Sequence, residues 1–374
     1  MNNVVKNAMA GLTTSLAMVP EVVAFALLAT VNPLVGLYAA VILGFITAVF
    51  GGRPGLISGG AGSLAVVSVA LVISHGVEYL FACIVLLGII QVIFGVFKLG
   101  KLIKLVSPAV MNGFVNGLAI IIFMAQLKQI PTIGGSEFNI MVSLIGMTIV
   151  GVLWAPIKSI PASLFGIIPV TLLVVFGLVD SKTVGDIAHV SGSLPEFNIP
   201  SVPFTFETLW VILPYSLLLA GIGLLETLLT AQMVDDRLGG TTQPNRESIA
   251  QGVGNFLTGL FGGMGGCAMI GQTVINMNSG GTTRLSGIIQ SLCILAYIVF
   301  ASFVIESIPI AALIGVMLVV CYHTFDWKTF TKSKEHIAVT LVVTLATIAF
   351  NLAYAVLIGI IITQIIRKLN DRFV

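Results

Sequence analysis

The chain has 374 residues, of which 57% are hydrophobic and 9% are Asp, Glu, Lys or Arg, with a formal net charge of +2. A soluble domain carries about 25% charged residues, so this composition cannot coat a water-facing surface and excludes a soluble enzyme; a mean hydropathy of +1.11 excludes disorder as well. Seventeen basic against 15 acidic groups leave no phosphate footprint for nucleic acid, and what remains is an all-α polytopic membrane protein.

A spanning helix takes about 20 residues. Apolar runs and their breaks predict fourteen spans, at 8–28, 34–50, 60–74, 79–97, 108–127, 139–156, 161–179, 208–233, 248–261, 267–278, 285–305, 309–322, 337–350 and 352–366. The third, the tenth and the last pair are too short to cross alone. Lys6 precedes the first run, but the run continues through Pro20 and Glu21, so no cleavable signal is evident. Charge gives a check independent of hydropathy. With the N-terminus in the cytoplasm and sides alternating, only Lys128 and Lys182 of the 17 basic residues fall outside. Fourteen spans with both termini cytoplasmic, in a cell inner (plasma) membrane, is the topology this predicts.

The longest polar stretch, residues 181–207, is expected outside and divides the chain into halves of seven spans, 1–180 and 208–374. An odd count inverts the second half, the arithmetic of an inverted repeat. Residues 47–55 (TAVFGGRPG) and 258–266 (TGLFGGMGG) share five of nine identities, each just before the short third span of its half.

Two Gly-rich segments open those short spans: Gly59, Gly60, Gly62 and Ser63 before the third, Gly262, Gly263, Gly265 and Gly266 before the tenth. Non-helical backbone survives at membrane depth only where protein or a water-filled cavity covers it. Two half-helices starting there would each present about half a positive charge and unpaired N–H groups, an anion site without Arg or Lys. The alternative reading is glycine-mediated close packing of helices. Of the 15 acidic residues, Glu21 and Glu226 alone lie well inside spans, which makes each a functional candidate. Thr227 and Thr230 adjoin Glu226 and could line a proton or sodium path. A carboxyl kept permanently protonated and bonded to backbone is the structural alternative. Gln272, Thr273 and Asn276 share one face of the tenth span and either line a substrate path or bridge helices; Asn112 and Asn116 in the fifth span carry the same two readings, with the structural one favoured. The Lys98, Lys101 and Lys104 run marks a cytoplasmic interface that meets anionic lipid. The cysteines (Cys83, Cys267, Cys293, Cys321) lack CxxC spacing and read as small buried hydrophobes. His75, His189, His323 and His336 fall near segment ends or in loops, against a haem or metal site. There is no Walker motif, HExxH or GxSxG. No cofactor or metal is expected, and gradient-driven transport remains.

At these residues the chain resembles the SulP family of anion permeases, relatives of the sulfate permease and prestin-type carriers. The resemblance runs through VPEVVAFALLATVNPLVGLYAA (19–40), SPAVMNGFVNGLAIIIFMAQL (107–127) and the segment from GLLETLLTAQMVDD to NMNSGG (223–281). It implies a 7+7 inverted repeat with core and gate domains and half-helices at spans three and ten. An anion would sit between their N-termini while the core moves like an elevator. Carried onto this chain, the site comprises Glu21 and Phe25 of span one, backbone N–H groups of Ala61, Gly62, Ser63 and Leu64, and Cys267, Ala268 and Met269, with Gln272 beside them. Glu226 would be the coupling carboxylate, with Thr230 near it. Sodium-coupled bicarbonate members place a hydroxyl where this chain has Ile270, and prestin-like members an Arg where it has Gln272; an embedded Glu226 without that partner favours proton symport. The resemblance thus implies sulfate/proton symport, with bicarbonate or dicarboxylate symport or an uncoupled channel as alternatives. It also implies a homodimer. The family usually continues into a STAS domain, and none is expected within these residues.

Overall fold

The computed structural model describes residues 2–99, 107–130, 136–156, 161–190, 192–349 and 358–364. The chain divides into two compact units, Met1–Gly100 with Gln129–Met317, and Lys101–Lys128 with Leu318–Val374. Thirteen helices of nine residues or more appear among the described residues.

In the larger unit α1 (Asn3–Leu28) and α2 (Pro33–Phe50) are joined by a tight turn. Asn32 caps α2 by accepting the Leu34 N–H at 2.9 Å, and Pro33 fills the first helical position, where its missing N–H costs nothing. A loop leads to β1 (Ser58–Gly60) and α3 (Gly62–His75), followed by α4 (Val77–Val96). After α6 (Ser136–Trp154), α7 (Ala162–Val175) and the single turn α8 (Val184–Ile187) comes α9 (Phe206–Leu238), the longest helix at 33 residues. Helix α10 (Pro244–Leu260) leads through a glycine-rich loop to β2 (Gly266–Ala268) and α11 (Ile270–Asn278), then to α12 (Arg284–Phe300) and α13 (Ser302–Glu306). The order helix, strand, short helix thus occurs twice.

Among the described residues, seven helices are long and apolar enough to cross a membrane unaided, including α1, α2, α4, α9 and the helix at Pro108–Leu127. The predicted spans coincide with helices to within a few residues, with two differences. The tenth is not helical from residue 267, because Gly266–Ala268 is extended and pairs with β1; the helix starts at Ile270. The eleventh breaks at Ala301 into α12 and α13. The predicted fourteenth, 352–366, lies outside the described residues except for 358–364, which are helical. Lys101, Lys104 and Lys158 also lie outside them.

Helices α4 and α10 meet along a glycine seam. A Cβ on Gly252 would stand 2.6 Å from the Val92 nitrogen, and one on Gly259 2.8 Å from the Phe81 carbonyl oxygen. Backbones approach this closely only where side chains are absent, as in small-residue helix pairs in membranes. The seam holds α10 against α4 and fixes the platform beneath β2.

The connection between α7 and α9 is pinned along its length rather than loose. Val184 N–H donates to Ile308 O at 2.9 Å, Val190 N–H to the Glu306 carboxylate at 2.7 Å, and the Tyr38 hydroxyl to Ser193 O at 3.0 Å. Further on, Asn198 N–H reaches Leu260 O and Ser201 N–H the Glu78 carboxylate, each at 2.7 Å. The stretch that reads as a polar linker is therefore a strap across the ends of α2, α4, α10 and α13.

In the smaller unit α5 (Pro108–Leu127) packs on α15 (Lys334–Ala349) through Gly113 and Gly117, with Thr340 and Thr344 hydroxyls donating to Ala109 O and Gly113 O at 3.0 and 3.1 Å. The helix α14 (Ile310–Thr324) enters this unit at Leu318 and leads to a 3-10 turn at Trp327–Thr331. Asn112 donates to Thr329 Oγ1 at 3.2 Å and Asn116 accepts the Asp326 N–H at 2.7 Å, the structural roles expected of both.

Candidate functional site

The two strands pair antiparallel in the register Ser58↔Ala268, Gly59↔Cys267 and Gly60↔Gly266. Met269 N–H continues the ladder to Ile57 O at 2.9 Å. Glycine at three of the six strand positions allows this contact, since a Cβ on Gly266 would collide with the Gly59 carbonyl. The pairing brings together two chain segments some 208 residues apart, and each strand runs directly into a short helix.

Both helices start without a cap. Their N-cap residues, Ala61 and Met269, make no side-chain cap hydrogen bond, in contrast to Asn32 on α2 and Thr205 on α9. Helix geometry leaves the first N–H groups of each without an intrahelical acceptor. On α3 these belong to Gly62, Ser63 and Leu64, all buried. On α11 they belong to Ile270, Gly271 and Gln272, of which the first two are exposed and the third is buried. Of the three residues expected to supply donors there, two are otherwise engaged: Ala268 N–H donates to Thr227 Oγ1 at 3.0 Å and Met269 N–H to Ile57 O. Cys267 pairs with Gly59 inside the sheet. The unengaged α11 donors therefore begin at Ile270, three residues after Cys267.

Side chains from α9 complete the surroundings. Glu226 is half-buried, and the Ser63 hydroxyl donates to its Oε2 at 2.6 Å, so the embedded carboxyl reaches the first turn of α3. Thr230 donates to Glu226 O at 2.7 Å and to Ala268 O at 3.2 Å. Thr227 and Thr230 thus take both outward-facing groups of Ala268, which commits their hydroxyls to the strand edge. Such closure is required where a sheet edge lies at membrane depth.

From the other side α1 packs against both α3 and α11. Glu21 is half-buried on it, and Phe25, one turn further, is 5% exposed. Gln272 is fully buried, with the Glu21 carboxyl as its polar neighbour from α1. The other two residues of its face serve the scaffold: Thr273 accepts the Ile57 N–H at 3.2 Å, and Asn276 donates to Gly55 O and Ser286 Oγ, each at 3.0 Å.

Sequence reasoning misses a polar stripe on α10. Glu247, Gln251 and Asn255 are all fully buried. Glu247 Oε2 accepts the Gly52 and Arg53 N–H groups at 2.6 and 3.2 Å, Gln251 donates to Ser58 Oγ at 2.9 Å, and Asn255 holds Gly266. Their i, i+4, i+8 spacing, which puts all three on one face of the helix, is the available signal. Glu247 falls at a predicted segment end, where a carboxylate draws no notice. Among the described residues, no group of three His, Cys, Asp or Glu is placed to hold a metal ion.

The Sulfate permease family description matches residues 4–145 and 136–347, nearly the whole chain. The chain belongs to the sulfate permease family. YbaR of Bacillus subtilis (strain 168), which carries a sulfate-transporter name, is 45% identical over 369 residues, covering 97% of this chain and 77% of YbaR. The bicarbonate transporter BicA of Synechocystis sp. (strain ATCC 27184 / PCC 6803 / Kazusa) is 32% identical, covering 88% of this chain and 64% of BicA. Among solved structures, the transmembrane domain of a cyanobacterium BicA superposes with a TM-score of 0.84 at 28% identity, over 95% of this chain and 98% of that one. Murine SLC26A9 in the inward-facing state shares the fold at a TM-score of 0.81 and 17% identity, over 98% of this chain and 68% of that one. Sulfate permease family members are secondary anion transporters, not enzymes, and the chain is accordingly a polytopic membrane carrier of small anions.

Proposed function

We propose that the chain takes up an inorganic oxyanion, sulfate in the first instance, by symport with protons. The anion sits at the uncapped N-termini of α3 and α11, held by N–H groups of Gly62, Ser63, Leu64, Ile270, Gly271 and Gln272. The single observation that carries this is that two helix ends meet around the β1–β2 pair with no side-chain cap on either. Each end supplies about half a positive charge, so the pair offers about one. A dianion therefore exceeds the positive charge available, and an ionised Glu226, bonded to Ser63 in the same turn of α3, would repel it further. A proton on Glu226 removes that repulsion, which makes anion and proton travel together. Glu21 flanks the site and Gln272 supplies a side-chain amide to an anion oxygen; Phe25 backs the site from α1, and Thr230 fixes the backbone of Glu226.

In this reading residues 1–180 and 208–374 are inverted repeats of seven segments. A core carrying both short helices moves against a gate by an elevator-type cycle. The protein works in the plasma membrane as a homodimer with both termini cytoplasmic. Likeness to BicA favours a second reading, bicarbonate as the anion.

Proteoliposome uptake decides between them. Labelled sulfate, bicarbonate and fumarate are offered across a pH gradient, with and without sodium. Sulfate uptake driven by inward protons, lost in a folded Glu226→Gln variant, is the expected result. Unchanged pH-driven uptake in that variant would refute proton coupling through Glu226, and uptake of bicarbonate alone would select the second reading.

A further inference from the structure

We propose that Asn255 is a positioning residue for the anion site: its carboxamide closes the free edge of β2 at Gly266 and thereby sets the aim of the α11 N–H groups. The inference rests on the reading that the anion binds at those groups. Asn255 Oδ1 accepts the Gly266 N–H at 2.9 Å while its Nδ2 donates to Gly266 O at 3.0 Å. One side-chain amide thus makes the two-way bond that a third strand would make. Residue 268 receives the equivalent service from Thr227 and Thr230, so the outward edge of β2 is held at alternate residues by α10 and α9.

Asn255 is itself held. Its Nδ2 donates to Gln91 Oε1 at 2.9 Å, and Gln91 Nε2 donates in turn to Ala220 O on α9 at 3.4 Å. The three linked residues, Gln91, Asn255 and Gly266, are buried. The glycine seam between α4 and α10 keeps Gln91 and Asn255 at bonding distance. Three residues separate Gly266 from Ile270, and the backbone of these, Cys267 to Met269, is fixed by strand pairing and the two threonines. A displacement at Gly266 therefore carries through to the direction in which Ile270, Gly271 and Gln272 point. Asn255 touches no substrate; it acts through backbone, so its substitution should appear in affinity and selectivity.

The test uses the full chain in proteoliposomes. Asn255→Asp keeps the acceptor for Gly266 N–H and loses the donor to Gly266 O and Gln91; Asn255→Leu loses all three bonds. A loss of aim equivalent to one hydrogen bond, about 1.4 kcal/mol, is tenfold in affinity. The expected result is a KM for the anion about tenfold higher in Asn255→Asp, with the preference among anions of different radius altered and maximal rate changed far less. Gln91→Leu, which leaves Gly266 bonded but frees Asn255, should shift KM in the same direction by less. A KM and anion preference equal to wild type in a folded Asn255→Asp variant would overturn the proposal, as would a fall in maximal rate alone. If neither Asn255 variant folds, Gln91→Leu decides the matter by the same criteria. Wild-type protein that shows no saturable uptake of any anion would instead overturn the anion reading, and the positioning role with it.

Discussion

Adding one methyl group to Gly252 should destabilise the protein, whereas adding one to Gly146 should not. The Cβ of an alanine at 252 would stand 2.6 Å from the Val92 nitrogen and 2.7 Å from the Gly88 carbonyl oxygen, both backbone atoms that no rotamer change can clear. Ordinary contact begins near 3.4 Å, so α4 and α10 must separate by roughly 0.7 Å, and a gap of that size forfeits about a quarter to a half of each packing contact beside it. The same displacement stretches the 2.9 Å bond between Asn255 and Gln91 beyond hydrogen-bonding range. Overpacking of this kind costs about 1–3 kcal/mol. Gly146, by contrast, has no atom within 4 Å of its would-be Cβ, and Ala there gains up to about 1 kcal/mol of helix propensity. Thermal unfolding in detergent, followed by intrinsic fluorescence, compares the two: Tm should fall by several degrees for Gly252→Ala and hold or rise for Gly146→Ala. Equal Tm values for both variants would refute the claim that the α4–α10 seam depends on backbone contact.

Two further outcomes follow from the polar contacts. Thr227→Val preserves shape but leaves the buried Ala268 N–H without its 3.0 Å acceptor, at a cost of about 1–3 kcal/mol; anion KM should rise, Thr227→Ser should restore it, and equal KM in all three proteins would remove Thr227 from the strand edge. Backbone and hydroxyl hydrogen bonds from Thr183, at 2.7 and 2.9 Å, hold the exposed Asp186 carboxyl below its usual 3.8. A depressed carboxyl stabilises the fold above its unfolded value and loses that contribution as pH falls through the folded one. Hydrogen exchange at the Thr183 amide should therefore be slower in wild type than in Asp186→Asn near neutral pH, with the difference beginning to shrink near pH 4 and gone once pH lies below the lowered folded value; a difference that persists undiminished in strong acid would contradict it.

Hydropathy places the helices well because a membrane segment must satisfy its own backbone whatever it packs against. Helix α5 falls on the predicted 108–127, and α2 and α9 differ from prediction only at their ends. The glycine clusters are equally visible, since only glycine suits a backbone that meets another backbone. Pairing is a different matter. That Gly60 lies opposite Gly266 depends on two segments distant in sequence, and three-residue strands carry no periodicity to announce them. Glu226 is conspicuous as a charge inside an apolar run; that Ser63 is the residue bonded to it is not written in either segment.

Scarce charge and abundant glycine are local properties with direct energetic consequences, so the residues alone reveal the medium, the apolar segments and the two glycine-rich breaks. The sequence also singled out Glu226 and Glu21, since a carboxylate among apolar residues is costly wherever the chain folds. Tertiary structure decided what the polar residues do. It set the Thr227 and Thr230 hydroxyls against Ala268, bonded Thr273 and Asn276 to the backbone of the loop before α3, placed Gln272 beside Glu21, and gave Asn255 the edge of a strand. Those roles are set by which backbone groups packing leaves without a partner, and that is known only once both halves of the chain are in place.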